Sequence, residues 1–273
     1  MRSLKEAVYG AAIGDAVGVP YEFKMRGKFC CSEMVGWGTH RVEKGTWSDD
    51  TSMMLAICDS IRQNHGKIDT DDILVKFCQW AADGAYTCDG NTFDIGNTVV
   101  RALSLGHGLG GEFDNGNGSL MRTLPLAFCD ASDDEIAQVS AITHSHRLSI
   151  DCCICYVHIA RDLNAGMALA EAVARNVPDN ALLHRLKNIA SLSEADIKSS
   201  GYVVDTLEAA LWCLAVTDNY RDCILKAVNL GEDTDTTACV AGGLAGIMYG
   251  LEGIPAEWVE GLRGKDLLDG WLF

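Results

Sequence analysis

Proline is scarce in this chain, 4 residues in 273. That leaves little material for rigid linkers, and no Pro/Ser-rich stretch or long charge run marks a domain boundary. A single domain over residues 1–273 is the expectation. Basic residues are also few: 22 Lys and Arg against 38 Asp and Glu, a net charge of −16. An extended phosphate-tracking surface for nucleic acid needs clustered Lys and Arg, so none is expected. A small anionic ligand remains compatible, because local dipoles or cations can overcome a global negative field.

Long apolar runs are missing as well. The longest, residues 238–251, has 14 residues and is rich in glycine, too short to cross a bilayer. The first residues, Met1-Arg2-Ser3-Leu4-Lys5-Glu6, lack the apolar core of a signal peptide. A cytoplasmic protein with no membrane contact, acting as a monomer, is expected. The 12 cysteines then read as reduced residues, mostly in the core. The one C-x-x-C, Cys152 to Cys155, lies in an apolar helical run without a second pair and reads as packing.

Alternating β-branched runs are nearly absent, whereas helical periodicity is everywhere. Ser3 and Glu6 form a capping box ahead of Ala7, Val8, Ala11 and Ala12. Gly10, Gly14 and Gly18 fall on one face of that helix, and Asp15 lies inside it, a buried carboxylate that needs a partner or a metal. Helices are predicted to open at Ser48, Thr70 and Ser132, to run through Val99, Val100 and Leu103 after Asp94 to Thr98, and over 149–163, 166–177, 180–191, 203–217, 221–230 and 255–261. Residues 24–46 read as loop. The fold class is all-α, a compact orthogonal bundle of many helices around one core.

Two helix starts carry the chemistry. Trp47-Ser48-Asp49-Asp50-Thr51 and Gly231-Glu232-Asp233-Thr234-Asp235-Thr236-Thr237 each join two Asp to flanking hydroxyls, ahead of an apolar helix. Either alone is an ordinary acidic helix start favoured by the dipole. Asp233 does not begin a calcium EF loop, because positions six and twelve would be Ala238 and Leu244. Together they predict one site. Gly242, Gly246 and Gly250 recur at spacing four, so the second helix can be buried closely, acidic end included. Clustered buried carboxylates repel unless cations neutralise them, and an all-oxygen ligand set suits Mg²⁺ or Mn²⁺. Two such ions could clamp a diol or activate water.

Other segments add less. Gly106 to Gly111 formally contains G-x-G-x-x-G, but it follows a helix rather than a strand, so a dinucleotide fold is rejected. Asn115 to Arg122 is a glycine-rich loop entering a helix, whose free N–H groups suit a phosphate. His144 and His146, two apart, point away from each other on a helix, leaving one of them a ligand-facing role. Asp94 reads either as a cap or as a site residue, and Glu22, among aromatics, either as a proton-transfer group or as solvated loop.

In order, Gly14 to Glu22, Ser48-Asp49-Asp50-Thr51, Asp94-Ile95-Gly96, Asn117 to Arg122, Thr143-His144-Ser145-His146 and Asp233-Thr234-Asp235-Thr236 resemble the motifs of the ADP-ribosylglycohydrolase family across nearly the whole chain. The resemblance implies two divalent cations, Mg²⁺ or Mn²⁺, held by Ser48, Asp49 and Asp50 from one side and by Asp233, Asp235 and Thr236 from the other. It implies that Asn117, Gly118, Ser119 and Met121 hold ADP-ribose, with backbone N–H groups on the diphosphate, and that His144 lines the adenosine side. Asp94 is the first candidate for the acid/base and Glu22 the second. The implied reaction is hydrolysis of the bond between ADP-ribose and an acceptor, releasing ADP-ribose. ADP-ribosyl-arginine on protein is the favoured substrate; serine, a nucleic-acid base and a small molecule are the other acceptors. A non-catalytic ADP-ribose binder and a phosphoesterase cutting the diphosphate stand as alternatives.

Overall fold

A computed structural model describes residues 2–273. Twelve α-helices run along them: α1 (Leu4–Gly18), α2 (Asp49–Gln63), α3 (Thr70–Asp83), α4 (Asn97–Leu105), α5 (Asp133–Ala141), α6 (Arg147–Asn164), α7 (Leu169–Asn176), α8 (Val203–Ala215), α9 (Tyr220–Asn229), α10 (Thr234–Tyr249), α11 (Ala256–Gly261) and α12 (Lys265–Trp271). Among the described residues the only β pairing is isolated bridges, such as Trp37 with Val42, so the all-α expectation holds. No described helix is long and apolar enough to cross a membrane. All 12 cysteines are free thiols, and Cys152, Cys153 and Cys155 are buried in α6.

The helix ends follow their local chemistry. Glu6 accepts the Ser3 N–H at 2.9 Å, and Glu135 accepts that of Ser132 at 2.8 Å, closing the expected capping boxes. Asp69 accepts from Asp71 and Asp72 at the head of α3.

At the centre α1 lies against α10, both buried over nearly their whole length. The approach is backbone on backbone. A methyl placed on Gly10 would stand 2.3 Å from the Gly242 carbonyl oxygen, on Gly14 2.1 Å from that of Ala238, and on Gly18 2.4 Å from the Asp235 Cα. Gly242 and Gly246 receive α1 in turn, whereas Gly250 ends α10 at φ +71° and takes no part in that contact. Side chains one carbon larger at these positions would hold the helices apart.

Three expectations change. Residues 180–191 hold a 3₁₀ helix, His184–Ser191, interrupted at Asn188 (φ −119°, ψ 28°), rather than an α-helix. Hydrophobic spacing there reports burial of Leu186 and Ile189 but does not distinguish the tighter winding. His144 and His146 are not on a helix: α5 stops at Ala141 and α6 starts at Arg147, with His146 Nδ1 accepting the Leu148 N–H at 3.2 Å as its cap. The loop from Asn115 enters a 3₁₀ turn, Leu120–Arg122, and not an α-helix. Helix α12, a short segment with one buried leucine, Leu268, carries too little periodicity to be foreseen.

Candidate active site

The two acidic helix starts face each other. Ser48 caps α2, and its hydroxyl donates to Asp50 Oδ2 at 3.1 Å; Thr236 Oγ1, from the first turn of α10, donates to the same oxygen at 3.3 Å. The glycine contact between α1 and α10 sets this meeting, because Gly18 lets the start of α10 come up against the end of α1, where Thr234 Oγ1 donates to the Gly18 carbonyl at 2.8 Å.

Asp15 is the clamp on the other half. Its carboxylate accepts the Ser48 N–H at 3.0 and 3.1 Å, the Thr51 N–H at 3.1 Å and the Thr51 hydroxyl at 2.6 Å. The partner this buried acid requires is therefore the N-terminus of α2. Burial pushes its carboxyl up to about 6 even so.

Around the meeting point stands a shell of carboxyls. Burial first, and then neighbouring carboxylates, push Asp49, Asp50 and Asp235 well above the ordinary carboxylate range. Burial raises Asp233 too, against a hydrogen bond from Asn117 Nδ2 at 2.8 Å. Glu22, 5% exposed, is pushed up to about 8 by burial, with Asp94 and Asp233 adding to it and a hydrogen bond to His40 opposing it. For His40, burial works against the imidazolium, but Glu22 and Asp94 outweigh it and the net shift is upward. Ligand-capable atoms of Glu22, His40, Asp94 and Asp235 lie within 4.8 Å of one another.

This set fits divalent cations. Of the buried polar side-chain atoms left without a hydrogen-bond partner, three are carboxylate oxygens of the site: Asp50 Oδ1, Asp233 Oδ1 and Asp235 Oδ2. Orphaned anionic oxygens packed among like charges are costly unless a cation meets them, and hard oxygens suit Mg²⁺ or Mn²⁺.

A cleft of about 490 Å³ opens over the shell, lined by Glu22, Asp49, Asp94, Asp233 and Thr236 at the acidic end, and by Gly116, Asn117, Gly118, Met121, His144 and Gly201 farther along. Asn117 bridges the two. Its side chain reaches Asp233 and Thr206, at 2.8 and 2.9 Å, while its N–H is donated to the Gly201 carbonyl at 3.0 Å. That N–H is thus taken, in contrast to the expected phosphate role. Gly118 and Ser119 keep their N–H groups free of partners among the described residues. The Ser119 side chain points away from the cleft, fully buried, its hydroxyl against Cys153 Sγ at 3.4 Å and Ser140 Oγ at 3.0 Å. Arg122 underpins the loop: buried against Phe77, it donates to the Gly118 carbonyl at 2.6 Å.

His144 is buried, and burial, then Arg122, brings its pKa down to about 3, a neutral ring. Its Nδ1 pairs with Thr143 Oγ1 at 2.8 Å, and its other edge backs Gly116 and Gly118. The glycine-rich run from Gly106 supports this: Leu109 pairs with the strand-like stretch at His144 through Leu109 N–H to Thr143 and Ser145 N–H to Leu109. His146 stays at the helix cap, outside the cleft. Asp15, His40 and Phe23 were not among the residues expected from sequence. Asp15 left a trace as an acid inside an apolar helix, and Phe23 as one of the aromatics that flank Glu22.

The chain matches the ADP-ribosylglycohydrolase family over residues 2–272. It is 39% identical to the ADP-ribosylarginine hydrolase Tri1 of Pseudomonas putida (strain GB-1), over 94% of this chain and 73% of that protein. It is 33% identical to the ADP-ribosyl-[dinitrogen reductase] glycohydrolase of Rhodospirillum rubrum, over 95% and 90%. A solved structure described as an ADP-ribosylglycohydrolase-related protein complex superposes with a TM-score of 0.80 at 29% identity, covering 98% of this chain and 94% of the other.

Proposed function

The chain belongs to the ADP-ribosylglycohydrolase family, and from that premise we propose that it hydrolyses the glycosidic bond between ADP-ribose and an arginine side chain on protein, with two divalent cations. The observation that carries this reading is the facing pair of helix starts: orphaned carboxylate oxygens of Asp50, Asp233 and Asp235 beneath a cleft that Gly116, Asn117, Gly118 and His144 also line. The arginine acceptor is supported by the similarity to the P. putida ADP-ribosylarginine hydrolase.

Ser48, Asp49 and Asp50 would hold the cations from α2, and Asp233, Asp235 and Thr236 from α10. When bound, Mg²⁺ or Mn²⁺ supplies Lewis-acid polarisation of the ribose hydroxyls and of water beside the scissile bond. The chain's own groups do the rest. Gly118 and Ser119 N–H bind the diphosphate, and the neutral ring of His144 lines the adenosine side without adding charge. The Asn117 amide ties Asp233 to that loop, so phosphate position and carboxylate position move together. Asp94 accepts the proton of the attacking water as it adds to C1″ and returns it to the departing guanidine nitrogen; Glu22, beside it, is the second candidate for that transfer. Water is consumed, and free ADP-ribose and arginine are the products.

The experiment is a panel of acceptors, arginine, serine, nucleic-acid base and small molecule, each carrying ADP-ribose, read for ADP-ribose release with Mg²⁺ or Mn²⁺ and with chelator. Chelator-sensitive release from arginine is expected. Release from serine but not arginine overturns the acceptor, AMP as product overturns the glycosidic cut, and release from no conjugate overturns the enzyme.

A further inference from the structure

Phe23 is an aromatic side chain with no packing reason to be one. It is 67% exposed, yet it forms part of the cleft wall beside Glu22 and Asp94. Its backbone is left-handed, φ +62°, a region that disfavours a side chain of this size. The conformation is fastened by reciprocal bonds, Phe23 N–H to the Glu232 carbonyl at 2.7 Å and Glu232 N–H to that of Lys24 at 2.8 Å, with Glu232 itself at φ +60°. Asp94, which lines the same cleft, is a third such residue, at φ +58°. Backbone held against its preference at two residues lining one cleft is the mark of groups kept in place for a ligand.

Behind Phe23 the aromatic surface continues. The His40 ring stands 6.0 Å from that of Phe23 and 5.0 Å from that of Phe93, and its Nε2 is spent on Glu22. The aromatic wall therefore rises at the Glu22 end of the carboxylate shell, whereas the Asn117–Gly118 loop and His144 meet the shell through Asp233. With ADP-ribose on the loop side, the wall faces the group that leaves. Among the described residues no Lys or Arg lines the cleft. A planar, delocalised cation stacks on an aromatic face while its N–H groups reach carboxylates, which neither a serine hydroxyl nor a compact ammonium does as well.

Resting on the proposed arginine acceptor, we infer that Phe23, with Glu22 and Asp94 beside it, is the acceptor subsite, an aromatic-and-carboxylate cradle for the guanidinium carrying the ADP-ribose. Phe23 is a specificity residue: it acts on binding of the acceptor and leaves binding of the product ADP-ribose untouched.

The test compares wild type, Phe23→Ala and Phe23→Trp with added Mg²⁺ or Mn²⁺. The readouts are KM for an ADP-ribosyl-arginine peptide, KM for an ADP-ribosyl-serine peptide, and Kd for free ADP-ribose. Because the side chain is exposed, its removal opens no core cavity. Phe23→Ala is expected to raise KM for the arginine peptide about 5- to 10-fold. KM for any measurable serine conjugate and Kd for ADP-ribose stay within twofold, and Phe23→Trp restores the arginine KM. An unchanged arginine KM overturns the subsite alone. An equal loss of ADP-ribose affinity overturns it by assigning Phe23 to the nucleotide. A wild type inactive on the arginine peptide overturns the proposed acceptor and the subsite with it.

Discussion

Asp15 and Ser48 are 33 positions apart, and the carboxylate of one sits on the backbone N–H of the other, at 3.0 and 3.1 Å. With the two bonds from Thr51, this single acid anchors the start of α2, and through it Asp49 and Asp50. Asp15→Ala leaves three buried donors without a partner. It is expected to lower unfolding free energy by about 3 kcal/mol and to weaken Mn²⁺ binding, as read by urea denaturation and by calorimetric titration. Unchanged Mn²⁺ affinity in a folded variant would show that the α2 start holds its geometry unaided.

Asp235→Asn should act in opposite directions with and without cation. In chelator it removes one of several crowded like charges and raises Tm. With saturating Mg²⁺ or Mn²⁺ the wild type gains about 2.7 kcal/mol at a hundredfold excess over Kd, whereas the variant gains little and releases no ADP-ribose. Asp50→Asn should behave alike. Thermal melts in both conditions check the pair, and a full cation-induced shift in either variant contradicts the two-helix cation site.

Gly10→Ala places its methyl 2.3 Å from the Gly242 oxygen and 2.9 Å from the Gly246 Cα. Separating α1 from α10 should cost about 3 kcal/mol or more and reduce activity, since Asp235 moves with α10. Gly270→Ala, with nothing within 4 Å in α12, should stabilise by up to about 1 kcal/mol and leave turnover alone. Paired denaturation curves with opposite signs are the expected result.

Asp59 gives a pH signature away from the site. Burial alone would raise its carboxyl, but hydrogen bonds from Lys76, Arg62 and Tyr86 outweigh that and hold it below the ordinary value of 3.8. The Lys76 and Tyr86 bonds are 2.8 and 3.0 Å. A depressed folded pKa contributes stability above the unfolded value and loses it as pH falls through the folded one. Asp59→Asn should therefore cost about 3 kcal/mol at pH 7, with the gap to wild type narrowing as pH drops below 3.8 toward the folded value. A gap independent of pH would assign the loss to packing.

The two acidic helix starts that meet in the fold were legible because their residues are consecutive: Ser48 to Asp50 and Asp233 to Thr236 each sit on one helix start. The glycine stripes on α1 and α10 were legible one by one, since spacing four is a local property. That they mate is a long-range fact, and no local pattern records it. His40 comes from irregular backbone in which neither period applies, so nothing flags it. The Asn117 N–H looked free because a loop amide has no intrahelical partner, while its acceptor, Gly201, is 84 positions downstream.

Asp50 and Thr236, which share a hydrogen bond, are separated by 186 positions. On a ribosome adding about 5–20 residues per second, roughly 10–40 s separate the emergence of the two halves of the site. Through that interval the glycine face of α1 waits for α10, and Asp50 lacks the neighbouring charges of Asp233 and Asp235. The full carboxylate shell, with all its repulsion, is therefore complete only when α10 arrives.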